Sequence, residues 1–587
     1  MAYHAPVEEM EFALREVAEL ARIEGSGFPE FDMDLVRPIL EEAGKLANEV
    51  LAPLNQPGDE QGAQLTGQGV VAPHGFREAY QAFAEGGWMG LAAPTEWGGQ
   101  GLPKTLANVV LEIIHGANMS FGLCPMLSLA AIEALVAHGT PDQQARYLPR
   151  LVSGEWTGTM NLTEPQAGSD VGALKTKAVP NGDGSYAISG QKIYITWGDH
   201  DMADNIIHLV LARLPDAPAG SKGISLFVVP KVLVNEDGSL GDRNGVHCIG
   251  LEKKIGIHAS PTCVMEYDGA KGWLVGEENK GLACMFTMMN SARLNVGHEG
   301  VGVGEAAYQT AYEYAQERKQ GRVEGVDGPA PILHHADVRR TLTTMRANVM
   351  AARAICYACG VAADLADTAE GDTREAARLR EDLLTPIAKA WSTDMGVEVA
   401  SLGVQIHGGM GFMNETLAAQ LYRDARIAPI YEGTNGIQAI DLVGRKLGMA
   451  DGKAMADMIA DVRETAQSAR ETNDPQLVYI ADRLKAAAEA LDEATVWMSE
   501  AMKTEREKGL ASATAYLKLA GDVIGGHFLT QGAIAARADG GVIRGRMTAL
   551  AGYFAETALA EAPGRVSGIT RGGDSFMSES EALFGLS

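Results

Sequence analysis

The feature that most constrains the fold of this chain is a change in the spacing of its apolar residues near Thr159. Before that point, apolar residues recur at intervals of three and four, as in Met33, Val36, Ile39 and Leu40, which is the period of an amphipathic helix. From Thr159 to about residue 280, short β-type runs alternate with turn residues. Beyond residue 280 the helical period returns in long segments. A small β domain between two helical regions is therefore expected.

The β-type runs have no helical segments between them. We predict strands at residues 185–189, 192–196, 206–211 and 224–229. The spacer PNGDG at residues 180–184 is typical of a turn. Short strands at this spacing favour a small antiparallel barrel or sandwich.

The order of these patterns predicts an α+β architecture with four domains. We assign residues 1–158 to an N-terminal helical domain and residues 159–280 to a β-barrel domain. Residues 281–450 form a helical bundle, with helices expected at 295–318 and 337–366, and residues 451–587 form a further helical domain. The turn-rich segment GMADG at residues 448–452 marks the last boundary.

Charge and composition exclude several classes of function. The formal net charge of -27 disfavours binding to nucleic acid or anionic lipid. We found no run of about 18 apolar residues and no secretory signal at the N-terminus, so we expect a cytoplasmic protein without a membrane span. Six cysteines in 587 residues do not suggest a disulfide framework. The CYAC segment at residues 356–359 is expected to be buried, and no metal site is predicted.

One segment sets a carboxylate in an apolar and aromatic setting. Residues 430–436 read IYEGTNG, in which glycines follow Glu432 and allow the backbone to approach a ligand closely. Withdrawal from water would make this carboxylate a stronger base. Taken alone, the segment also fits an ordinary turn with a solvated glutamate.

Three further segments have features of a cofactor site. LTEPQAGSD at residues 162–170 could hold the polar edge of a planar ring, or form a capped turn. In GQKIYITWG at residues 190–198, strand alternation puts Tyr194 and Thr196 on one face, where the aromatic ring would stack on a flat cofactor or pack in a core. VQIHGGMGF at residues 404–412 predicts a close-approach loop for a phosphate or ribose, with His407 as a polar loop residue and not a metal ligand.

These four segments, in this order, resemble the acyl-CoA dehydrogenase family. Further matches are GLAAPTEWGGQG at residues 90–101, the segment 139–149 that begins with GTP and ends with YLP, KIGIHAS at 254–260, ERK at 317–319 and YRDAR at 422–426. The resemblance covers roughly residues 35–447. It implies an FAD enzyme that introduces an α,β double bond into an acyl-CoA thioester. Glu432 would take the α-proton while the β-hydrogen leaves as hydride to flavin N5.

The resemblance also implies roles for residues around the flavin ring. Leu162, Thr163 and Ser169 match residues beside the ring and the nearby pantetheine. Tyr194 matches an aromatic residue stacked on the isoalloxazine, commonly Trp, and Thr196 matches a hydroxyl near N5.

Other matched residues concern the rest of the cofactor and the substrate. Arg318 matches an arginine that reaches the FAD pyrophosphate of a neighbouring subunit. The other expected contacts of the cofactor are Gln405, Gly408, Gly409 and Thr434. The expected substrate contacts are Ser169, Asn290, Arg293 and Gly433.

Some positions depart from the common family pattern. ERK is followed by QGR where the family usually has a residue and then Phe-Gly, Asn290 replaces a frequent Asp, and Asn435-Gly436 replaces Ser-Gln. The variants EGTNGIQ and ERKQGR, with the extra C-terminal domain, resemble a long bacterial branch that includes 3-methylmercaptopropionyl-CoA dehydrogenases of dimethylsulfoniopropionate degradation. Related long members oxidise ordinary fatty acyl-CoAs of short to long chain length.

The resemblance implies an electron-transfer flavoprotein as electron acceptor and favours a homodimer. Three other functions remain open from the sequence. An acyl-CoA oxidase would pass electrons to oxygen. A DNA-binding paralogue is disfavoured by 14 Lys and Arg against 20 Asp and Glu from residue 451 onward. A membrane-docking C-terminal domain is disfavoured by the same acidic balance.

Overall fold

A computed structural model describes residues 3–325, 327–539 and 541–585, which divide into two compact units. The mixed unit comprises Ile39–Asn295 with the residues just before Pro6. The helical unit comprises Pro6–Pro38 and the chain from Val296 onward. The chain is mostly helical with one small sheet region, which confirms the predicted α+β class.

One helix of the mixed unit is apolar on nearly every side. Met119–His138 packs on strand Trp156–Asn161, where the backbone N–H of Gly158 donates to Ser128 Oγ at 2.9 Å. A Cβ on Gly158 would lie 2.5 Å from the Cβ of Ala131, so only glycine permits this approach of helix and strand. The helices of the first part of the chain are Val7–Phe12, Val36–Leu46, Asn55–Gln61, Phe76–Glu85, Lys104–Ala117, Met119–His138 and Pro141–Val152.

The main sheet lies entirely in the mixed unit. Its strands, in spatial order, are Trp156–Asn161, Asn205–Ala212, Ser225–Pro230, Thr262–Val275, Tyr186–Thr196 and Lys177–Pro180, with Val246–Leu251 also paired to Thr262–Val275. Shorter strand pairs are Gln64–Thr66 with Gly69–Val71, and Val232–Val234 with Leu240–Arg243.

Pairing in the main sheet is antiparallel, as predicted, except at one edge. Trp156–Asn161 pairs in parallel with Asn205–Ala212. The chain leaves the first of these strands, forms two strands elsewhere in the sheet, and returns beside it in the same direction. A crossover of this kind leaves no short local signal, because it is set by the pairing of distant segments.

The two strands predicted at residues 185–189 and 192–196 are a single strand, Tyr186–Thr196. Gly190 carries the strand through with φ +150°, and a Cβ there would lie 2.5 Å from Thr176 Oγ1. The pairing with Thr262–Val275 shifts register twice, which is the signature of β-bulges. The glycine therefore marks a bulged strand and not a strand end.

Apolar side chains from several strands form the interior of the sheet domain. Ile188, Ile195, Val210 and Phe227 are buried within it. Tyr267 is also buried, and its hydroxyl donates to Asn161 Oδ1 at 2.8 Å. The polar end of this side chain therefore has a hydrogen-bond partner inside the core.

Long helices build the helical unit. The predicted helix 295–318 begins earlier and spans Gly281–Glu317, and the predicted helix 337–366 is Ala336–Thr368. The other helices of the bundle region are Gly371–His407, Leu417–Ala425 and Asn435–Asp441. We call Gly281–Glu317 the Gly281 helix and Gly371–His407 the Gly371 helix. Cys356 and Cys359 are buried on Ala336–Thr368, as predicted.

The C-terminal helices share a core with the bundle. Trp391 on the Gly371 helix donates through Nε1 to Asp522 Oδ1 at 2.9 Å, and a Cβ on Gly521 would lie 2.2 Å from the Trp391 ring. The helices of this region are Lys453–Glu471, Pro475–Thr504, Arg506–Asp539, Gly541–Glu556, Ala558–Ser578 and Ser580–Phe584. The extra domain is therefore built into the helical unit by direct packing.

Within the part of the chain that the structure describes, two helices are long and apolar enough to cross a membrane, Met119–His138 and Ala336–Thr368. Their most apolar windows are 83% and 94% buried inside the protein. Burial of this extent is typical of core helices.

Candidate active site

The loop that carries Glu432 is held in a strained backbone conformation. Glu432 lies between helices Leu417–Ala425 and Asn435–Asp441, with φ +53°, and Gly433 follows with φ +85°. A left-handed conformation costs a residue with a Cβ about 1–2 kcal/mol, so surrounding contacts must hold it. Gln438 Nε2 supplies two of them, to the carbonyls of Glu432 at 3.2 Å and Gly433 at 3.3 Å. Thr434 caps the following helix, because its Oγ1 accepts from Ile437 N at 3.2 Å.

Asn435 anchors the C-terminal side of this loop to the Gly371 helix. Its Nδ2 donates to Asp394 Oδ1 at 2.7 Å and to the carbonyl of Ala390 at 3.0 Å. Its Oδ1 accepts from the ammonium of Lys389 at 2.8 Å, and Lys389 is fully buried. The departure from the common Ser-Gln pattern therefore fixes the loop through a buried lysine.

A buried acid contacts the N-terminal side of the loop. The hydroxyl of Tyr431 donates to Glu299 Oε2, and Glu299, on the Gly281 helix, is fully buried. Burial raises the pKa of Glu299 to about 8; the Tyr431 hydroxyl and Lys389 oppose the rise, and the charge of Glu432 adds to it. Burial also raises the pKa of Tyr431 well above its usual value. Burial therefore favours the uncharged form of both groups.

In the mixed unit, a buried ion pair joins two of the predicted cofactor segments. Lys192 donates to Glu164 Oε1 at 2.8 Å and to the carbonyl of Leu162 at 2.9 Å. The carboxylate of Glu164 also accepts from the backbone N–H groups of Lys175 at 2.6 Å and Thr176 at 3.0 Å. Burial opposes ionisation of Glu164, but Lys192 and these donors outweigh it and lower its pKa to about 2. Burial lowers the pKa of Lys192 to about 8, against the pull of Glu164.

This ion pair sets the predicted flavin-ring residues close together. The backbone N–H of Ile193 donates to the carbonyl of Thr163 at 2.9 Å, which joins the loop to the strand of Tyr194. Tyr194 has φ +61° and a 60% exposed side chain, at the point where the pairing register shifts. Thr196 lies two residues on and is partly buried, while Ser169 is exposed at the far end of the loop. The bulge interrupts the regular alternation that predicted one face for Tyr194 and Thr196.

In the helical unit, the predicted diphosphate residues lie at two neighbouring helix ends. His407 stacks on Tyr314 of the Gly281 helix, with ring centroids 4.3 Å apart. Arg318 follows directly after the end of that helix, four residues beyond Tyr314. Arg318 and Gln405 are exposed, and a Cβ on Gly408 or Gly409 would meet nothing within 4 Å. His407 is not the loop residue that was predicted: it ends the Gly371 helix, is buried, and its Nδ1 hydrogen-bonds the carbonyl of Gly403 at 2.7 Å.

The predicted substrate residues Asn290 and Arg293 lie on the Gly281 helix, within the mixed unit. Asn290 is exposed and Arg293 is buried. The predicted residues thus form one group around Thr163 and Tyr194, one around Glu432, Gly433 and Thr434, and one around Arg318 and Gly408.

Sequence reasoning missed several residues that support these groups, namely Glu164, Lys192, Glu299, Lys389 and Gln438. For Glu299 a signal existed, because a carboxylate stands among the small and apolar residues Gly297, Gly300 and Val301. Acids in such surroundings are rarely buried without a partner.

Two of these groups, each considered by itself, have the chemistry that a part of FAD requires. Tyr194 presents an aromatic face to solvent on a strained backbone, which suits stacking on a flat ring. Arg318 is an exposed cation, and the open space at Gly408 and Gly409 lets a diphosphate approach the backbone.

Models of protein families match nearly the whole chain. They are described as the acyl-CoA dehydrogenase N-terminal domain at residues 36–155, middle domain at 159–270 and C-terminal domain at 279–448. A fourth, acetyl-CoA dehydrogenase C-terminal like, matches residues 458–579.

Individual relatives extend the similarity. A 3-methylmercaptopropionyl-CoA dehydrogenase from Ruegeria pomeroyi is 45% identical, over 99% of this chain and 100% of the relative. A butyryl-CoA dehydrogenase from Syntrophomonas wolfei is 38% identical, over 71% of each chain. The crystal structure of Caenorhabditis elegans ACDH-11 with C11-CoA shares the fold with a TM-score of 0.76 and 20% identity, over 99% of this chain and 95% of that one.

Proposed function

The chain belongs to the acyl-CoA dehydrogenase family, and we propose that its substrate is 3-methylmercaptopropionyl-CoA. Enzymes of this family carry out FAD-dependent dehydrogenation of acyl-CoA thioesters, and this chain is an FAD-dependent oxidoreductase of that kind. The substrate proposal is supported by 45% identity to a dehydrogenase of that name over its entire length, the extra C-terminal domain included.

We propose Glu432 as the base that removes the α-proton. The observation that carries this role is its strained backbone, held by Tyr431 on one side and by Asn435 and Gln438 on the other. Such contacts hold the backbone that carries the carboxylate, and a base needs a fixed position for proton transfer at hydrogen-bond distance. The backbone N–H of Glu432 would donate to the thioester oxygen, and a preorganised donor to a developing oxyanion contributes about 3–4 kcal/mol.

Other residues of the chain would hold the cofactor. We propose that Tyr194 stacks on the flavin ring, that Thr163 and Thr196 donate hydrogen bonds to its polar edge, and that Arg318 and Gly408 hold the diphosphate. A flavin held by these residues would supply the hydride acceptor for the β-hydrogen. The ion pair of Lys192 with Glu164, one residue from Thr163, keeps the two flavin segments in register.

Substitution Glu432→Gln tests the base. The amide keeps the shape of the side chain but cannot take a proton, so we expect kcat to fall by about 10²–10⁴-fold while the flavin absorbance is retained. Stopped-flow reduction of the flavin by substrate measures the step. Near-normal turnover of the variant would refute the assignment.

A panel of acyl-CoAs tests the substrate. We expect 3-methylmercaptopropionyl-CoA to have a higher kcat/KM with an artificial electron acceptor than butyryl-CoA or longer saturated acyl-CoAs. A preference for butyryl-CoA would favour the second candidate, a fatty acyl-CoA dehydrogenase, which is supported by the 38% identical relative of that activity.

We propose an electron-transfer flavoprotein as the acceptor, a homodimer as the assembly and the cytoplasm as the location. Arg318 supports the dimer, because its exposed guanidinium fits an arginine that reaches the cofactor of a second subunit. Peroxide formation during turnover in air would instead indicate an oxidase.

A further inference from the structure

Glu299 is buried where two helices of the helical unit cross in close contact. On the Gly281 helix, a Cβ at Gly297 would lie 2.8 Å from the carbonyl oxygen of Ala388, and one at Gly300 would lie 2.5 Å from that of Ser392. Only glycine allows backbones to approach this closely. Glu299 stands between these glycines and is fully buried. The crossing therefore removes its carboxyl from water.

The carboxyl makes one hydrogen bond to the loop of the catalytic base. Tyr431 donates its hydroxyl to Oε2, and Oε1 has no hydrogen-bond partner among the residues that the structure describes. A buried carboxylate would need several donors to stay charged, and this one has a single donor. The charged groups that act on it are Lys389, whose ammonium also donates to Asn435, and Glu432, which repels a second negative charge. The arrangement fits a neutral carboxylic acid.

Tyr431 links this acid to the base itself. The tyrosine immediately precedes Glu432, whose left-handed backbone needs a hold on each side. Asn435 and Gln438 hold the C-terminal side. On the N-terminal side, the Tyr431 side chain is fixed at its far end by Glu299.

We propose that Glu299 is a positioning residue for Glu432: as an uncharged acid, it holds Tyr431 by its hydroxyl and so fixes the left-handed backbone that aims the catalytic carboxylate. This inference rests on the proposed function of Glu432. A misplacement of about 1 Å in a reacting group can cost about 100-fold in rate, so loss of this hold should reduce kcat and leave substrate binding nearly unchanged.

Three variants of the FAD-loaded enzyme test the proposal. Glu299→Gln keeps an oxygen that accepts from Tyr431 without a charge, and we expect kcat within about 3-fold of the wild type. Glu299→Leu removes the acceptor, and Tyr431→Phe removes the donor. We expect each to lower kcat by about 10–100-fold with KM changed less than about 3-fold, and the double variant to be no slower than either single one.

The outcomes separate this proposal from the function on which it rests. If the wild type oxidises no acyl-CoA, the proposed function fails. If the wild type is active and Tyr431→Phe keeps its full kcat, the positioning role is wrong. It is also wrong if Glu299→Gln loses as much activity as Tyr431→Phe, because the amide should restore the hold. Tyr431→Phe removes one oxygen atom from a partly buried ring, so it decides the matter even if Glu299→Leu does not fold.

Discussion

The charge state of Glu299 can be tested apart from catalysis by its effect on stability. Burial raises its pKa from 4.5 to about 8 in the folded chain, where Tyr431, Glu432 and Lys389 are the groups that act on it. In the unfolded chain the carboxyl ionises near its ordinary pKa. The folded state therefore holds this proton more tightly, and the contribution of Glu299 to stability falls as pH rises from about 4.5 to about 8, then levels off. The gap between the two pKa values corresponds to about 5 kcal/mol.

Glu299→Gln removes this dependence, because glutamine cannot ionise in either state. The variant should gain on the wild type as pH rises from 5 to 8, and the difference should stay constant above pH 8. Unfolding entropy is about 2 cal/mol/K per residue, so for a cooperative unit of about 300 residues 5 kcal/mol corresponds to about 8 °C. Thermal unfolding followed by circular dichroism at pH 5, 6, 7, 8 and 9 measures this change.

A matched control separates the buried acid from glutamate substitution in general. Glu398 is exposed on the Gly371 helix, so Glu398→Gln should shift the melting temperature by a similar small amount at every pH. If the melting curves of Glu299→Gln and the wild type run parallel from pH 5 to 8, the carboxyl is charged in the folded protein. The neutral hydrogen bond to Tyr431 would then be the wrong description.

Two further predictions concern the cofactor segments of the mixed unit. Lys192→Met leaves the charge of Glu164 buried without its partner, so we expect the free energy of unfolding in urea to fall by about 3–5 kcal/mol. The control Lys177→Met, at an exposed position, should lower it little. Equal losses in the two variants would contradict a buried pair. Tyr194→Gly relieves the strain of a left-handed residue but removes a stacking ring, so the apoprotein should melt at no lower temperature while the Kd for FAD rises about 3–10-fold. The control Tyr194→Phe keeps the ring and should bind FAD like the wild type. Unchanged FAD binding by the glycine variant would refute the stacking role.

Local patterns were sufficient for the class of fold and for the family. The change of period near Thr159 predicted a β domain between helical regions, because the spacing of apolar residues reports directly which side of a helix or strand is buried. The helix predicted at 337–366 lies within Ala336–Thr368 for the same reason. Short motifs around Thr163, Tyr194, Gly408 and Glu432 carried the family resemblance, and the family models match these regions of the chain.

Tertiary structure alone decided which groups support those motifs and in what state of charge. Tyr431 and Glu299 are 132 residues apart in sequence, and Lys192 and Glu164 are 28 residues apart. No local spacing encodes such pairs, because burial of a side chain depends on helices and strands that meet from distant parts of the chain. Desolvation favours the neutral form of Glu299, whereas Lys192 and hydrogen-bond donors lower the pKa of Glu164 against its desolvation. The residue type is the same in both places, and only the surroundings differ.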